Sequence, residues 1–176
     1  MAIENVEAKL GEARTFLDKM REQEQMAFGT REMFDHSLSA FLNAARTVDY
    51  RLRHEYPGKY PAWRNARNAK HASQDRLTEH MAKVRRGEAH ESGSGRIQKT
   101  KEIKVGVGGS YSDKSGTITV MGSPGPLVGA DTGTTISIRQ YFFNMWGVER
   151  PVTEVCTEYL TVLEKIVADF KRDVLS

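Results

Sequence analysis

An arginine and a histidine five residues apart, Arg85 and His90, have the types and spacing that best fit a chemical reaction in this 176-residue chain. Histidine exchanges a proton near neutral pH, and a guanidinium neutralises the charge on a phosphate in its pentacoordinate transition state. The pair could therefore cleave RNA without a metal. On an ideal helix the two side chains lie about 140° apart, so they converge only where the path bends. Gly87 favours such a bend, because glycine weakens a helix and takes the left-handed conformation that ends one.

The other reactive residue types favour no metal, cofactor or nucleophile site. His71, His80 and His90 share no helix face at ligand spacing, and the single cysteine, Cys156, is expected in the core. The segment Gly106-Val107-Gly108-Gly109-Ser110 lacks the lysine of a P-loop and fits a hairpin loop better. The sequence has no strand-turn-helix serine elbow. We therefore expect no cofactor and no metal.

Positive charge is concentrated between Arg46 and His90. That stretch holds eleven Lys or Arg and five Asp or Glu, a surplus of six, whereas the formal charge of the whole chain is +3. A local cationic surface is typical of proteins that bind a polyanion, because phosphate contacts release condensed counterions. A solvated helix face is the alternative explanation. The predicted nucleic-acid contacts are Arg86, Lys83, Arg64, Arg67, Lys70 and His71.

Composition predicts one cytoplasmic domain over residues 1–176. Mean hydropathy is −0.55 and 28% of the residues are charged, and no apolar run reaches the roughly 18 residues of a membrane-spanning helix. The N-terminus lacks the basic-then-apolar layout of a secretory signal. A single cysteine fits a reducing compartment, and the length fits one domain.

Hydrophobic periodicity predicts an antiparallel bundle of about four helices. Thr30 is the expected N-cap of the second helix. The third begins at Ser73 or Asp75 and ends near Gly87. The closing helix has Pro151 at its first position, and Pro61 suits the first turn of a short piece between the second and third. The apolar stripes are Ile3, Val6, Leu10, Ala13, Leu17 and Met20; Phe34, Leu38, Phe41, Ala45, Val48 and Leu52; Leu77, Met81 and Val84; and Val152, Val155, Tyr159, Leu163, Ile166, Phe170 and Val174.

A glycine-rich insertion interrupts this bundle. Ten of the fifteen glycines fall between Gly93 and Gly133, which disfavours helix. Three antiparallel strands are predicted, at 97–105, 117–121 and 134–143. The lysines of the first suit an edge strand, and the third, which is the most hydrophobic, is expected to pack on the bundle. The predicted fold class is α+β, mainly α: a helical bundle over 1–92 and 148–176 with a three-stranded β insertion over 93–147, before the C-terminal helix.

The run from the second helix through His90 resembles the HEPN (higher eukaryotes and prokaryotes nucleotide-binding) superfamily. The resemblance covers roughly the first 90 residues and the closing helix. It is carried by Leu38-Ser39-Ala40-Phe41-Leu42-Asn43-Ala44-Ala45-Arg46, by Trp63, and by Met81-Ala82-Lys83-Val84-Arg85-Arg86-Gly87-Glu88-Ala89-His90-Glu91.

This resemblance implies a helical bundle, a homodimer that juxtaposes two R-x4-6-H motifs, and, as in many members, a metal-independent endoribonuclease. The family's functional pair would be Arg85 and His90 here. The residue after the arginine is usually a polar group such as Asn or Asp, where this chain has Arg86. A β insertion directly after the motif is also unusual.

The leading hypothesis is a HEPN-like RNA-binding protein, in its catalytic version a ribonuclease of toxin or defence type. Arg85 would hold the phosphate and His90 would transfer the proton. A second frame, Arg64 to His71, fits the spacing but precedes the third helix, so it ranks second. The expected partners are RNA, a second copy of the chain and a protein antitoxin.

Two alternative functions remain open. One is a non-catalytic protein-interaction or nucleotide-binding helical module that dimerises through its bundle. The other is a small-molecule enzyme whose pocket is walled by Trp63, Trp146 and Tyr141.

Overall fold

The computed structural model describes residues 2–25, 31–90, 97–105, 110–113, 116–119 and 134–175. Within these ranges, the side chains of residues 2, 25, 88–90 and those from 97 to 139 lie outside the description. The predicted cap at Thr30 and the predicted hairpin loop at 106–109 fall outside the described residues.

Helices make up most of the described chain. The prediction of a mainly helical fold with antiparallel strands before the C-terminal helix is confirmed, but the number of four helices is wrong. The segment around Trp63 forms a further helix, with a proline in its first turn, where the missing N–H breaks no helical hydrogen bond. The helices are α1 (Ala2–Gln25), α2 (Arg31–Glu55), α3 (Tyr60–Lys70), α4 (Ala72–His90) and α5 (Val152–Phe170), and a π-helical turn, Lys171–Leu175, follows α5.

The predicted apolar stripes lie in the core. All six predicted positions of α2 are fully buried, and in α1 only Ile3 remains partly exposed. In α4, Leu77 and Met81 are buried and Val84 packs against the same core. Cys156 is buried in α5, as predicted. One hydrophobic cluster joins these helices, so each apolar stripe covers that of its neighbours.

The boundaries of α4 differ from the prediction. The helix begins at Ala72, because the backbone N–H groups of Gln74 and Asp75 donate to the His71 carbonyl at 3.0 and 3.1 Å. Ser73 and Asp75 therefore lie inside the first turn rather than at the cap. The helix also continues through Gly87 to His90, and the bend that the sequence analysis placed at Gly87 does not occur.

The strands number five among the described residues rather than the predicted three. β1, β4 and β5 form one antiparallel sheet in that order, with β1 at its edge as predicted, and β2 and β3 pair separately. The two strands that the sequence analysis missed, β2 and β5, are each only four residues long. The strands are β1 (Ile97–Val105), β2 (Ser110–Asp113), β3 (Gly116–Thr119), β4 (Thr134–Met145) and β5 (Val148–Pro151).

The end of β4 packs on the helical bundle, as predicted. Tyr141, Phe143 and Met145 are buried, and the Tyr141 ring stacks on Phe34 of α2 with 3.9 Å between centroids. Alternate residues of a strand point to one face, so these three side chains cover the bundle together. The contact brings the β4–β5 turn next to α4.

Within the part of the chain that the structure describes, none of the helices combines the length and apolar character needed to cross a membrane.

Candidate nucleic-acid interface

A cleft between α2 and α4 brings together cations from two separate parts of the cationic stretch. Its cavity measures about 290 Å³. α2 and α4 contribute most of the wall at helical spacing, and one tyrosine of α5 closes it. The lining residues are Leu42, Arg46, Asp49, Thr78, Met81, Ala82, Arg85, Arg86 and Tyr159.

A hydrogen bond from α4 to α2 positions the Arg85 guanidinium in this cleft. Arg85 Nε donates to Asn43 Oδ1 at 3.2 Å. Arg86 follows it on the exposed side of α4, and its Nε donates to the Ala82 carbonyl one turn earlier, at 3.4 Å. Arg46 lies on α2, three residues after Asn43, and is also exposed, so α2 offers it on the same side as the amide.

The cleft carries more positive than negative charge. Three guanidinium groups line it, from Arg46, Arg85 and Arg86, against one carboxylate, Asp49. Among the ion pairs that the described residues form, none includes any of these three arginines. Their charges are therefore available to a ligand, and a guanidinium presents paired donors that match phosphate oxygens.

The Asp49 carboxylate interacts with three side chains that do not line the cleft. It is half-buried and accepts a hydrogen bond from the Tyr60 hydroxyl. Its oxygens also lie 3.5 Å from Arg64 Nε and 3.5 Å from Arg53 Nη2. Burial raises the pKa of Tyr60 far above its ordinary value, and the neighbouring Asp49 charge raises it further. Asp49 is thus a structural acceptor whose charge is largely balanced by its own partners.

Tyr159 closes the inner end of the cleft as a neutral phenol. It is 5% exposed and packs edge-on against Phe41. Burial raises its pKa well above the usual range, with a further contribution from the Asp49 charge. A phenol held in this way can exchange hydrogen bonds with a ligand, but it does not act as a base near neutral pH.

Two of the predicted nucleic-acid contacts, Arg64 and Arg67, are buried, with 6% exposure each. Arg64 donates to Asn68 on its own helix besides pairing with Asp49. Arg67 Nε donates to Asp169 Oδ2 at 3.0 Å, and Arg67 Nη2 donates to Gln74. These groups connect α3 to α2, α4 and α5 and have little contact with solvent.

The other predicted contacts divide between two places. Lys83 and Arg86 are exposed on α4. Lys70 and His71 are exposed at the junction of α3 and α4 and line a different cavity of about 220 Å³. The second Arg–His frame is therefore not brought together, because Arg64 is paired with Asp49 below the α2–α4 cleft.

The continuous course of α4 also bears on Arg85 and His90. The two positions lie about 140° apart around the axis of a regular helix, and Gly87 adopts no left-handed conformation that would change this. The His90 side chain lies outside the described residues. The backbone of a single chain therefore does not bring Arg85 and His90 together through a bend.

Arg46 is the cleft cation that the predicted contacts omit. It belongs to the cationic stretch but is not one of the predicted nucleic-acid contacts. The signal available was its spacing: it follows the buried Leu42 by four residues and precedes Asp49 by three, so all three share one flank of α2. Which of the eleven cations would lie opposite Arg85 depends on how α2 packs on α4.

Among the described residues, no three His, Cys, Asp or Glu side chains are placed to hold a metal ion. The chain matches no protein-family model, no curated protein and no solved structure.

Proposed function

We propose that this chain is a HEPN-like RNA-binding protein that holds the phosphate backbone in the α2–α4 cleft. The observation that supports this most directly is the convergence of Arg46, Arg85 and Arg86 on one cavity without ion pairs to described carboxylates. Other exposed arginines of the described chain, Arg31 and Arg53, do pair with carboxylates. Three that remain available on two facing helices suit a ligand that brings its own negative charge.

Binding is tested by comparing two arginine variants on α2 and α4. Arg85→Gln removes the guanidinium that Asn43 holds in the cleft and is expected to weaken binding of single-stranded RNA about tenfold, the effect of one charge-assisted contact. Arg31→Gln is the matched control: it removes the same charge from an exposed arginine at the start of α2. Equal losses in the two variants, measured by fluorescence anisotropy, would contradict a specific cleft.

The catalytic version of the proposal assigns metal-independent cleavage to Arg85 and His90. A ribose 2′-oxygen attacks the adjacent phosphorus and displaces the 5′-oxygen, leaving a 2′,3′-cyclic phosphate and a free 5′-hydroxyl. His90 takes the 2′ proton or supplies the proton to the leaving oxygen, and Arg85 neutralises the phosphorane. Because α4 is unbent between the two positions, we place the pair across a homodimer, as the resemblance to HEPN proteins implies.

Cleavage in a dimer has a distinctive test. RNA cleavage by the wild type is expected to persist under a metal chelator, and Arg85→Ala and His90→Ala should each lose at least about a hundredfold. Mixing the two inactive variants should restore part of the activity, because a mixed dimer has one site with both groups intact. If the mixture of variants regains no activity, a site shared between two chains is contradicted. If the wild type cleaves no RNA, the enzyme version is wrong, whereas the RNA-binding proposal is unaffected.

A further inference from the structure

The tip of the β4–β5 hairpin carries an aromatic ring that the α2–α4 cleft does not use. Trp146 is 53% exposed. Met145 pairs with Val148, so Trp146 and Gly147 form a two-residue turn, and both have positive φ, 53° and 83°. Asparagine and glycine suit such a turn, whereas a bulky side chain at positive φ is strained. Strain of this kind often marks a functional position.

A cation and an imidazole lie against this ring. The guanidinium carbon of Arg76 is 4.3 Å from the Trp146 centroid, and the His80 ring centroid is 5.7 Å away. Burial lowers the pKa of His80, and the nearby Lys83 lowers it further. His80 is therefore a neutral, flat neighbour at pH 7, and the cation beside the indole is Arg76.

A cavity of about 400 Å³ opens beside Trp146. Its apolar floor includes Leu77 and Val162, both of them buried. Lys165 stands at its rim, and among the ion pairs of the described residues neither Lys165 nor Arg76 takes part. In the described part of the chain, the only carboxylate that lines the cavity, Glu158, is paired with Arg150. An exposed indole, an apolar floor and two cations without a carboxylate partner among the described residues together match a flat aromatic ring that carries a phosphate.

We propose that Trp146, Arg76 and this cavity form a stacking site for the base of a nucleotide, with the phosphate attracted by Arg76 and Lys165. The ligand is either a free mononucleotide or an unpaired base of single-stranded RNA. RNA as the ligand rests on the proposed function, but the stacking site itself is separate from the α2–α4 cleft. Arg76 and Arg85 lie about 180° apart around α4, so the two sites occupy opposite flanks of that helix.

The test compares RNA with and without bases. Anisotropy measures binding of an oligoadenylate of about 12 nucleotides and of an abasic ribose-phosphate chain of the same length. Trp146→Asn removes the ring and keeps the hairpin, because Asn-Gly is the preferred pair in this turn; a thermal melt verifies the fold. This variant is expected to bind the oligoadenylate about 5- to 100-fold more weakly and the abasic chain unchanged. Trp146→Phe should keep most of the affinity.

Tyr50→Ala is the matched control, since it removes a ring that is 63% exposed on α2, and it should change neither affinity. Wild-type affinity of Trp146→Asn for the oligoadenylate would overturn the stacking site, and a loss in Arg85→Gln would then leave the cleft proposal intact. If the wild type binds neither the oligoadenylate nor the abasic chain, the proposed function fails. The stacking site is then tested with adenosine monophosphate. If adenosine monophosphate quenches the tryptophan fluorescence of the wild type but not that of Trp146→Asn, the stacking site is supported. If it does not quench the fluorescence of the wild type, the stacking site is overturned.

Discussion

At the scale of single residues, burial decides what each arginine does. Arg67 and Arg85 are alike in sequence, both in the cationic stretch and both near a histidine. Arg67 is 6% exposed and paired with Asp169, whereas Arg85 is held by the neutral amide of Asn43 at the edge of a cleft. The sequence predicts the charge of both residues. It does not predict the carboxylate partner, which comes from a helix about a hundred residues later in the chain.

Replacement of Arg67 should therefore affect stability rather than RNA binding. Arg67→Ala removes the buried partner of Asp169, but that carboxylate is 24% exposed and keeps its pair with Arg172. The expected cost is therefore that of a lost charge-assisted hydrogen bond, about 1–3 kcal/mol of unfolding free energy. Urea denaturation measures this loss. Arg46→Ala, on the exposed side of α2, should change stability by less than about 0.5 kcal/mol. A stable Arg67→Ala variant with weakened RNA binding would reverse the two assignments.

We expect the stability of the folded chain to depend on pH because the Glu24 carboxyl is buried. Its side chain is 6% exposed and accepts a hydrogen bond from Thr153 Oγ1 at 2.9 Å. Burial raises the pKa of this carboxyl from 4.5 to about 7, and Glu154 adds to the rise. Between those two values the folded chain keeps a proton that the unfolded chain has lost, so stability falls as pH rises through this window.

Glu24→Gln should remove this dependence. The amide keeps an acceptor oxygen for Thr153 and carries no titrating proton. From pH 5 to pH 8 the wild type is expected to lose about 3 kcal/mol of unfolding free energy more than the variant does. Urea titrations at the two pH values provide the measurement, and parallel losses in both proteins would show that Glu24 titrates normally in the folded state.

At the scale of elements, hydrophobic periodicity predicted the long helices and failed at short or locally ambiguous segments. The stripes of α1, α2 and α5 lie in the core because their period matches the helix over many turns. β5 was missed because four residues carry too short a pattern and pair only through a turn. Gly87 was assigned to a helix end by its residue type. α4 nevertheless continues through it to His90, after a segment that is fixed by the Arg85–Asn43 bond and by the core contacts of Met81 and Val84.

Gly87→Ala tests the continuity of α4. A Cβ added at this position meets no atom within 4 Å, and alanine favours a helix over glycine by about 0.5–1 kcal/mol. The variant should be more stable by that amount in chemical denaturation. Destabilisation would mean that residue 87 takes a left-handed conformation in solution, and it would restore the bend that brings Arg85 towards His90 within one chain.

At the scale of the whole molecule, the charge surplus of the sequence overstates the surface available to RNA. Eleven cations lie between residues 46 and 90, but Arg53, Arg64 and Arg67 pair with carboxylates. The cations that line the α2–α4 cleft come from both ends of the stretch. The sequence could indicate a polyanion partner, since charge is read directly from residue types. The cleft itself could not be predicted, because it arises from the packing of α2 against α4.

This arrangement predicts the salt dependence of RNA binding. The three phosphate contacts of the α2–α4 cleft alone correspond to a slope of about −2 in a plot of log affinity against log salt, at about −0.7 per contact. Affinity should then fall about 20-fold between about 50 and 200 mM salt. Arg46→Gln should make the slope shallower by about 0.7, whereas Arg31→Gln, with the same net charge, should leave it unchanged because its guanidinium pairs with Asp35. A slope near zero would instead favour a protein-interaction module, in which these arginines face another polypeptide.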